Sequence, residues 1–198
     1  TMETDRDGDG QHDSKVTTVS VVNADGSTTT TREAFAGNGM TLLSRSVTDV
    51  GADRKVTTVT TDRNGDGHTY QTVTSTESDL GHTYVVTTDL AANGTQISKD
   101  TLWNKANGLY SIAKHWIGAS ATEDFIARTN IDLLANGGTQ VRNTVKNQDD
   151  SNVSWQQVTT SDDGLVQTTE ADADWDGVKE RTTTATTVLN ADGSAVTT

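Results

Sequence analysis

The sequence predicts an all-β protein built as an antiparallel meander, and three observations support that fold class. Threonine and valine dominate many short segments, and β-branched residues favour the pleated surface of strands. Asparagine, aspartate and glycine recur between these segments, where tight antiparallel connections need positive-φ residues. Only 31% of the residues are hydrophobic and 5% are aromatic, so we do not expect a large apolar core.

The turns follow a period of about 56 residues. The pentapeptide NADGS at residues 23–27 returns at residues 190–194, three periods further along the chain. This period divides the single repeat array of residues 1–198 into repeats at 5–61, 62–115, 116–171 and 172–198, the last of which is partial. Each full repeat carries four turns, and the segments between the turns have the length of ordinary strands. We therefore expect about fourteen strands, four to a repeat.

Two arrangements of four-stranded repeats are compatible with this period. One is an elongated array in which each repeat stacks only on its neighbours. The other is a set of β-propeller-like blades, each of which also has four strands. Propeller inner strands are usually more apolar than these threonine-rich segments, so the array is the favoured prediction.

One turn in each repeat falls in a nine-residue segment, which we call an acidic loop. The four acidic loops are acidic loop 1 (residues 5–13), acidic loop 2 (62–70), acidic loop 3 (116–124) and acidic loop 4 (172–180). Acidic loop 1 has carboxylates at its positions 1, 3, 5 and 9, with glycines between them. Calcium takes six to eight oxygen ligands, commonly from the side chains and backbone carbonyls of one short loop. The spacing therefore predicts calcium sites, in which position 7 supplies a backbone carbonyl.

The predicted ligands differ between the loops. In acidic loop 1 they are Asp5, Asp7, Asp9, the carbonyl of Gln11, and Asp13. In acidic loop 4 they are Asp172, Asp174, Asp176, the carbonyl of Val178, and Glu180. In acidic loop 2 they are Asp62, Asn64, Asp66 and the carbonyl of His68. Tyr70 replaces the last acid of acidic loop 2, which predicts weaker binding there. The chain is thus expected to bind two or three Ca²⁺ ions.

Acidic loop 3 has lost most of these oxygen ligands, since it keeps only Ser120 and Asp124. We predict no ion in this loop, and we expect Trp116 and Ile117 to be buried by packing instead. Other aromatic residues also cluster in the middle repeats. Trp103, Tyr110 and Trp155 are candidate contacts for a ligand or partner, because exposed aromatic patches mark binding surfaces. The alternative interpretation is that these aromatic residues replace metal by hydrophobic packing.

Composition argues against several classes of protein. The net charge is −13 and the pI is about 4.5, which disfavours nucleic acid and anionic membranes as partners. The apolar runs are too short for membrane insertion. The chain contains no cysteine, and its four histidines lack the spacing of metal-binding pairs. No nucleophile, phosphate-loop or zinc-protease motif is present, so we expect no enzymatic activity.

The register from Asp172 to Ser194, an acidic loop followed by a threonine-rich segment and NADGS, resembles known tandem repeats. These are the repeats of very large calcium-binding proteins that Gram-negative bacteria secrete by the type I route, beside RTX segments. The RTX nonapeptide GGxGxD is absent, so the resemblance does not imply the RTX β-roll. The acidic loops are also similar to the calcium loops of FG-GAP propellers and dockerins, which supports the ligand roles above.

The resemblance implies a secreted, extracellular bacterial protein that becomes ordered when it meets calcium outside the cell. The predicted function is a non-catalytic structural or adhesive repeat module of a surface or matrix protein, in which calcium rigidifies the loops. One alternative is a carbohydrate-binding module that contacts a surface glycan through the aromatic middle repeats. Another is a filament subunit that associates with itself through edge strands.

Overall fold

The computed structural model describes residues 1–6, 8 and 10–198, and over these residues it consists of β-strands and turns. Its fifteen described strands are β1 (Met2–Thr4), β2 (Ser14–Val22), β3 (Thr28–Ala36), β4 (Leu42–Val50), β5 (Val56–Asp62), β6 (Gln71–Glu77), β7 (Thr83–Leu90), β8 (Gln96–Asn104), β9 (Tyr110–Ile117), β10 (Phe125–Leu133), β11 (Thr139–Asn147), β12 (Asn152–Thr160), β13 (Val166–Asp172), β14 (Arg181–Leu189) and β15 (Ala195–Thr197). No helix in the described part of the chain is long and apolar enough to cross a membrane.

The strands form an antiparallel meander in which sheet order follows chain order from β1 to β15. The predicted all-β meander is therefore confirmed. The alternative of propeller-like blades is wrong, because the described strands form one continuous sheet and not separate four-stranded sheets. Strands β2 to β5, β6 to β9 and β10 to β13 occupy the three full repeats of the sequence.

Two compact units divide the chain. The first comprises residues 1–101 and 116–121, and the second comprises residues 102–115 and 122–198. In each unit the described strands contact only their neighbours in the sheet, and no second layer covers either face.

The turn at residues 23–27 shows why the strands form hairpins. The N–H of Asn23 donates to the carbonyl of Ser27 at 2.8 Å, and the N–H of Gly26 donates to the carbonyl of Asn23 at 3.0 Å. Gly26 has a φ of 87°, which lets a tight turn run into a bulge. Asp25 Oδ1 accepts both the N–H of Ser27 at 2.9 Å and its hydroxyl at 2.7 Å. The same contacts recur between Asn190 and Ser194, so the repeated pentapeptide closes two equivalent hairpins.

Hydroxyl side chains pair across neighbouring strands. The hydroxyls of Ser20 and Thr30 lie 2.8 Å apart on β2 and β3, and those of Thr187 and Thr197 lie 2.8 Å apart on β14 and β15. Cross-strand pairs of this kind each contribute a few tenths to about 1 kcal/mol. The threonine content thus supports the sheet through side-chain hydrogen bonds in addition to β propensity.

Very few of the described side chains are buried. Ile126, at 5% exposure, is the one buried hydrophobic residue among the described positions, while the buried polar residues are Asp62, Thr101 and Asp172. Because no second layer covers the sheet, most strand residues remain half-buried or exposed. The stability of the fold therefore depends on backbone ladders, turns and cross-strand pairs more than on an apolar core.

One packing expectation is wrong for the same reason. Ile117 was expected to be buried, yet its side chain is 67% exposed at the end of β9. Trp116 is half-buried, and the ammonium group of Lys99 lies 5.0 Å from the centre of its ring. A sheet without a covering layer can shelter the face of an aromatic ring with a long cation, but it cannot enclose an aliphatic side chain at a strand end.

Candidate metal centre

Acidic loop 4 brings four carboxylates together between β13 and β14. Asp172, Asp174, Asp176 and Glu180 each offer one oxygen, and these oxygens all lie within 4.8 Å of one another. Asp172 is buried, at 2% exposure, whereas the other three are exposed. Among the described residues this is the one group of three or more such side chains with that geometry. Hard oxygen donors at this spacing could hold a metal ion.

The backbone of acidic loop 4 wraps around the carboxylate of Asp172. Its Oδ1 accepts the N–H of Trp175 at 2.5 Å, and its Oδ2 accepts the N–H of Gly177 at 3.1 Å. Both donors have positive φ, 61° for Trp175 and 88° for Gly177, which turns their N–H groups toward the carboxylate. Asp172, the last residue of β13, thereby organises the first half of the loop.

The remaining acids of acidic loop 4 also shape its backbone. Glu180 Oε2 accepts the N–H of Ala173 at 2.6 Å, which ties the end of the loop to its beginning. Asp174 Oδ1 accepts the N–H of Asp176 at 3.3 Å, and Asp176 Oδ1 accepts the N–H of Val178 at 2.7 Å. The hydrogen bonds of Asp174 and Asp176 thus involve one oxygen each. Val178, whose carbonyl is the predicted position-7 ligand, lies in the same loop with its side chain 61% exposed.

A strand neighbour supports this loop from outside. Trp155 on β12 is the cross-strand partner of Asp172, and its indole Nε1 donates to Asp172 Oδ2 at 3.2 Å. The guanidinium carbon of Arg142 on β11 lies 4.8 Å from the centre of the Trp155 ring. Trp155, which was predicted as a possible ligand or partner contact, lies beside the acidic cluster. Sequence reasoning missed this pairing, although counting outward from the turn at residues 161–165 identifies it.

Acidic loop 2 has the same backbone arrangement. Asp62 Oδ1 accepts the N–H of Gly65 at 2.8 Å and that of Asn64 at 3.2 Å, and Oδ2 accepts the N–H of Gly67 at 2.9 Å. Burial raises the pKa of Asp62, and the nearby Asp66 charge acts in the same direction. The three N–H donors outweigh both effects and hold that pKa below its ordinary value.

Neutral side chains donate hydrogen bonds within acidic loop 2. The amide of Asn64 donates to Asp66 Oδ2 at 3.0 Å and to Tyr70 Oη at 3.1 Å. The hydroxyl of Tyr70 also donates to Asp66 Oδ2, at 2.7 Å. His68, whose carbonyl is a predicted ligand, donates its N–H to Asp66 Oδ1 at 2.9 Å. The hydrogen bonds from the Tyr70 hydroxyl and the His68 N–H lower the pKa of Asp66. The bond between the Tyr70 hydroxyl and Asp66 also raises the pKa of Tyr70.

Acidic loop 1 matches acidic loop 4 in its described part. Asp5 accepts the N–H of Gly8 on Oδ1 at 2.7 Å and the N–H of Gly10 on Oδ2 at 3.0 Å. The N–H of Arg6 donates to Asp13 Oδ2 at 2.7 Å, as that of Ala173 does to Glu180. Gln11 lies in the loop and is exposed. The two remaining predicted ligands, Asp7 and Asp9, lie outside the described residues.

The other candidate residues make contacts within the protein. Trp103 and Tyr110 are both half-buried, and their rings meet edge to face with centres 5.9 Å apart and planes at 68°. In the second unit, Glu123 near the end of acidic loop 3 pairs with Lys114 at 2.8 Å. The hydrogen bond from Lys114 lowers the pKa of Glu123.

Two comparisons with known proteins gave no match. A scan against protein-family models found no match, and a search of curated proteins found none. The functional conclusions below therefore depend on the residues and their geometry.

Proposed function

We propose that this chain is a non-catalytic calcium-binding structural or adhesive repeat module, in which Ca²⁺ rigidifies hairpin turns of the sheet. The observation that carries the proposal is the convergence of four carboxylate oxygens in acidic loop 4. Acidic loop 1, with the same described backbone contacts and the same acid positions, is the second site. Two ions per chain are expected, and acidic loop 2 is a weaker third site.

Calcium fits this donor set better than other common cations. The donors are all oxygens, which suits hard cations and disfavours zinc or copper. Four carboxylates in one small shell repel one another, and a divalent cation among them offsets that repulsion. Magnesium demands a nearly ideal octahedron and retains its waters, so it rarely uses a full set of protein ligands.

A structural role follows from where the cluster lies. Acidic loop 4 is the hairpin connection between β13 and β14, in a protein with little buried apolar surface. An ion that binds only the folded state stabilises it by about 4 kcal/mol at a thousandfold excess over its dissociation constant. Acidic loop 2 supports this role, because its asparagine and tyrosine close an equivalent turn with hydrogen bonds. The common requirement of both loops is a closed turn.

The setting we propose is a secreted bacterial surface or matrix protein, as the resemblance of the repeats implies. The alternative of a carbohydrate-binding module is less favoured, because the Trp155 ring carries Arg142 on its face and its N–H is bonded to Asp172. Trp103 likewise packs against Tyr110. These contacts favour the interpretation that Trp103 and Trp155 support the fold by packing within the protein.

The decisive experiment combines titration calorimetry with thermal melting in calcium, magnesium and chelator. The wild-type chain should bind calcium and melt at a higher temperature with calcium than with chelator, with a smaller effect of magnesium. The double variant Asp174→Asn, Asp176→Asn should lose one ion per chain and part of the calcium-induced shift. The matched control Asp132→Asn, Asp162→Asn changes the net charge by the same amount, at exposed positions away from the acidic loops. It should bind as many calcium ions as the wild type and keep the full calcium-induced shift in melting temperature. An unchanged melting temperature of the wild type in calcium would contradict the proposal.

A further inference from the structure

The carboxylate of Asp172 is asymmetrically hydrogen-bonded. Its Oδ2 accepts two N–H groups, from Gly177 at 3.1 Å and from Trp155 at 3.2 Å. Its Oδ1 accepts one, from Trp175 at 2.5 Å. Each oxygen of an ionised carboxylate has about two lone-pair sites. The two hydrogen bonds at Oδ2 occupy both of its lone-pair sites, whereas Oδ1 keeps one site for a further partner.

We propose that Trp155 is a positioning residue of the cation site, which fixes Asp172 as a single-oxygen ligand through Oδ1. This inference rests on the proposed function, since it assumes that acidic loop 4 binds calcium. The indole N–H blocks Oδ2 and thereby prevents both oxygens of Asp172 from engaging the ion. Trp155 also sets the rotation of the carboxylate, because its strand is held beside β13 by the sheet.

The orientation of the indole is itself fixed by a neighbour. Trp155 faces Thr144 on β11 and Asp172 on β13, so the ring lies in a row that crosses three strands. The Arg142 guanidinium lies over the ring, a contact that favours one ring orientation. Groups behind a metal ligand orient it and tune its basicity, and their loss commonly lowers metal affinity about 10- to 100-fold.

Acidic loop 2 provides an internal comparison. The hydrogen bonds to Asp62 come from Asn64, Gly65 and Gly67 of its own loop. The cross-strand partner of Asp62 is Arg45, which instead reaches Glu33 at 3.7 Å. Of acidic loops 2 and 4, the external indole donor thus accompanies the one that has four carboxylates.

The first test observes the indole N–H groups of the wild-type protein by ¹H–¹⁵N nuclear magnetic resonance during a calcium titration. The chain has four tryptophans, so four indole resonances are expected. The Trp155 resonance, assigned by its loss in Trp155→Phe, should shift in step with binding, because the ion draws charge from the carboxylate that accepts its hydrogen bond. The Trp103 resonance should stay in place. A Trp155 resonance that does not move while the ion binds overturns the inference.

The second test measures calcium affinity of acidic loop 4 by calorimetry. Trp155→Phe keeps an aromatic ring beneath Arg142 but removes the N–H donor, and it should weaken binding about 10-fold. Trp103→Phe is the matched control on the same unit and should leave the dissociation constant unchanged. Equal affinity of Trp155→Phe and the wild type overturns the inference even where calcium binding persists. Failure of the wild type to bind any calcium overturns the proposed function and, with it, this inference.

Discussion

The hydroxyl of Tyr70, the last residue of acidic loop 2, donates a 2.7 Å hydrogen bond to Oδ2 of Asp66. In acidic loop 4 the equivalent residue is Glu180, which binds the backbone of Ala173. In acidic loop 2 the neutral side chains of Asn64 and Tyr70 instead donate hydrogen bonds within the loop. This comparison allows the role of charge to be separated from the role of backbone shape.

Restoring the two acids should strengthen the site in acidic loop 2. The double variant Asn64→Asp, Tyr70→Glu recreates the acid pattern of acidic loop 4, and Gly65 and Gly67 already have the required positive φ. We expect it to bind one more tightly held calcium ion than the wild type by calorimetry. In chelator it should melt at a lower temperature, because four carboxylates then repel one another without a counterion.

Tyr70→Phe is the matched control, because it removes the hydroxyl without adding a carboxylate. It should melt at a lower temperature than the wild type in both calcium and chelator, since Asp66 loses a donor. It should not gain a calcium ion. Equal calcium stoichiometry of the double variant and the wild type would show that the acid pattern alone is not sufficient for tighter binding.

Two glycines of acidic loop 2 should respond differently to alanine. Gly65 has a φ of 76°, and a Cβ there would lie 2.1 Å from the carbonyl oxygen of Leu42 on the neighbouring strand. Gly67 has a φ of 88°, but its Cβ would meet nothing within 4 Å. Gly67→Ala should cost about 1 kcal/mol of unfolding free energy, from the left-handed backbone alone. Gly65→Ala should cost at least about 2 kcal/mol, because the backbone must also move.

Chemical denaturation of both variants measures the difference. The two substitutions add the same methyl group at similar φ in one loop, so their difference reports the close approach of Leu42. Equal free energies of unfolding for Gly65→Ala and Gly67→Ala would mean that Gly65 and Leu42 can move apart at no cost in free energy.

The parts of the fold that the sequence predicts are those set by local chemistry. The hairpin at residues 23–27 follows from the hydrogen bonds of Asp25 and the positive φ of Gly26, which are properties of a few adjacent residues. The carboxylates of acidic loop 4 converge for the same reason, because their spacing in one short loop brings their oxygens together. A repeating turn also predicts a meander, since each hairpin places a strand beside its predecessor.

The features that sequence reasoning missed depend on partners that are distant in the chain. Trp155 and Asp172 are 17 residues apart and meet only because the turn at residues 161–165 sets the register of β12 and β13. The exposure of Ile117 depends on the absence of a covering layer in its unit, which no local pattern near that residue reports. Alternating apolar residues would have signalled a covered face, but the valines here do not alternate consistently.

The repeated turns should make the fold sensitive to acid. In the turn at residues 23–27, the hydrogen bond from the hydroxyl of Ser27, followed by that from its N–H, lowers the pKa of Asp25 below its ordinary value. The hydroxyl and N–H of Ser194 lower that of Asp192 in the same way.

A carboxyl whose folded pKa lies below its unfolded pKa stabilises the protein above the unfolded value, and this contribution is lost as the pH falls through the folded value. The melting temperature in chelator should therefore be nearly independent of pH near neutrality and should fall below about pH 4. Asp25→Asn should melt lower than the wild type at neutral pH, because the amide accepts these hydrogen bonds without a negative charge, and the gap should close as the pH approaches the folded pKa. A gap of constant size from neutral to strongly acidic pH would show that ionisation of Asp25 contributes nothing to the stability of the turn.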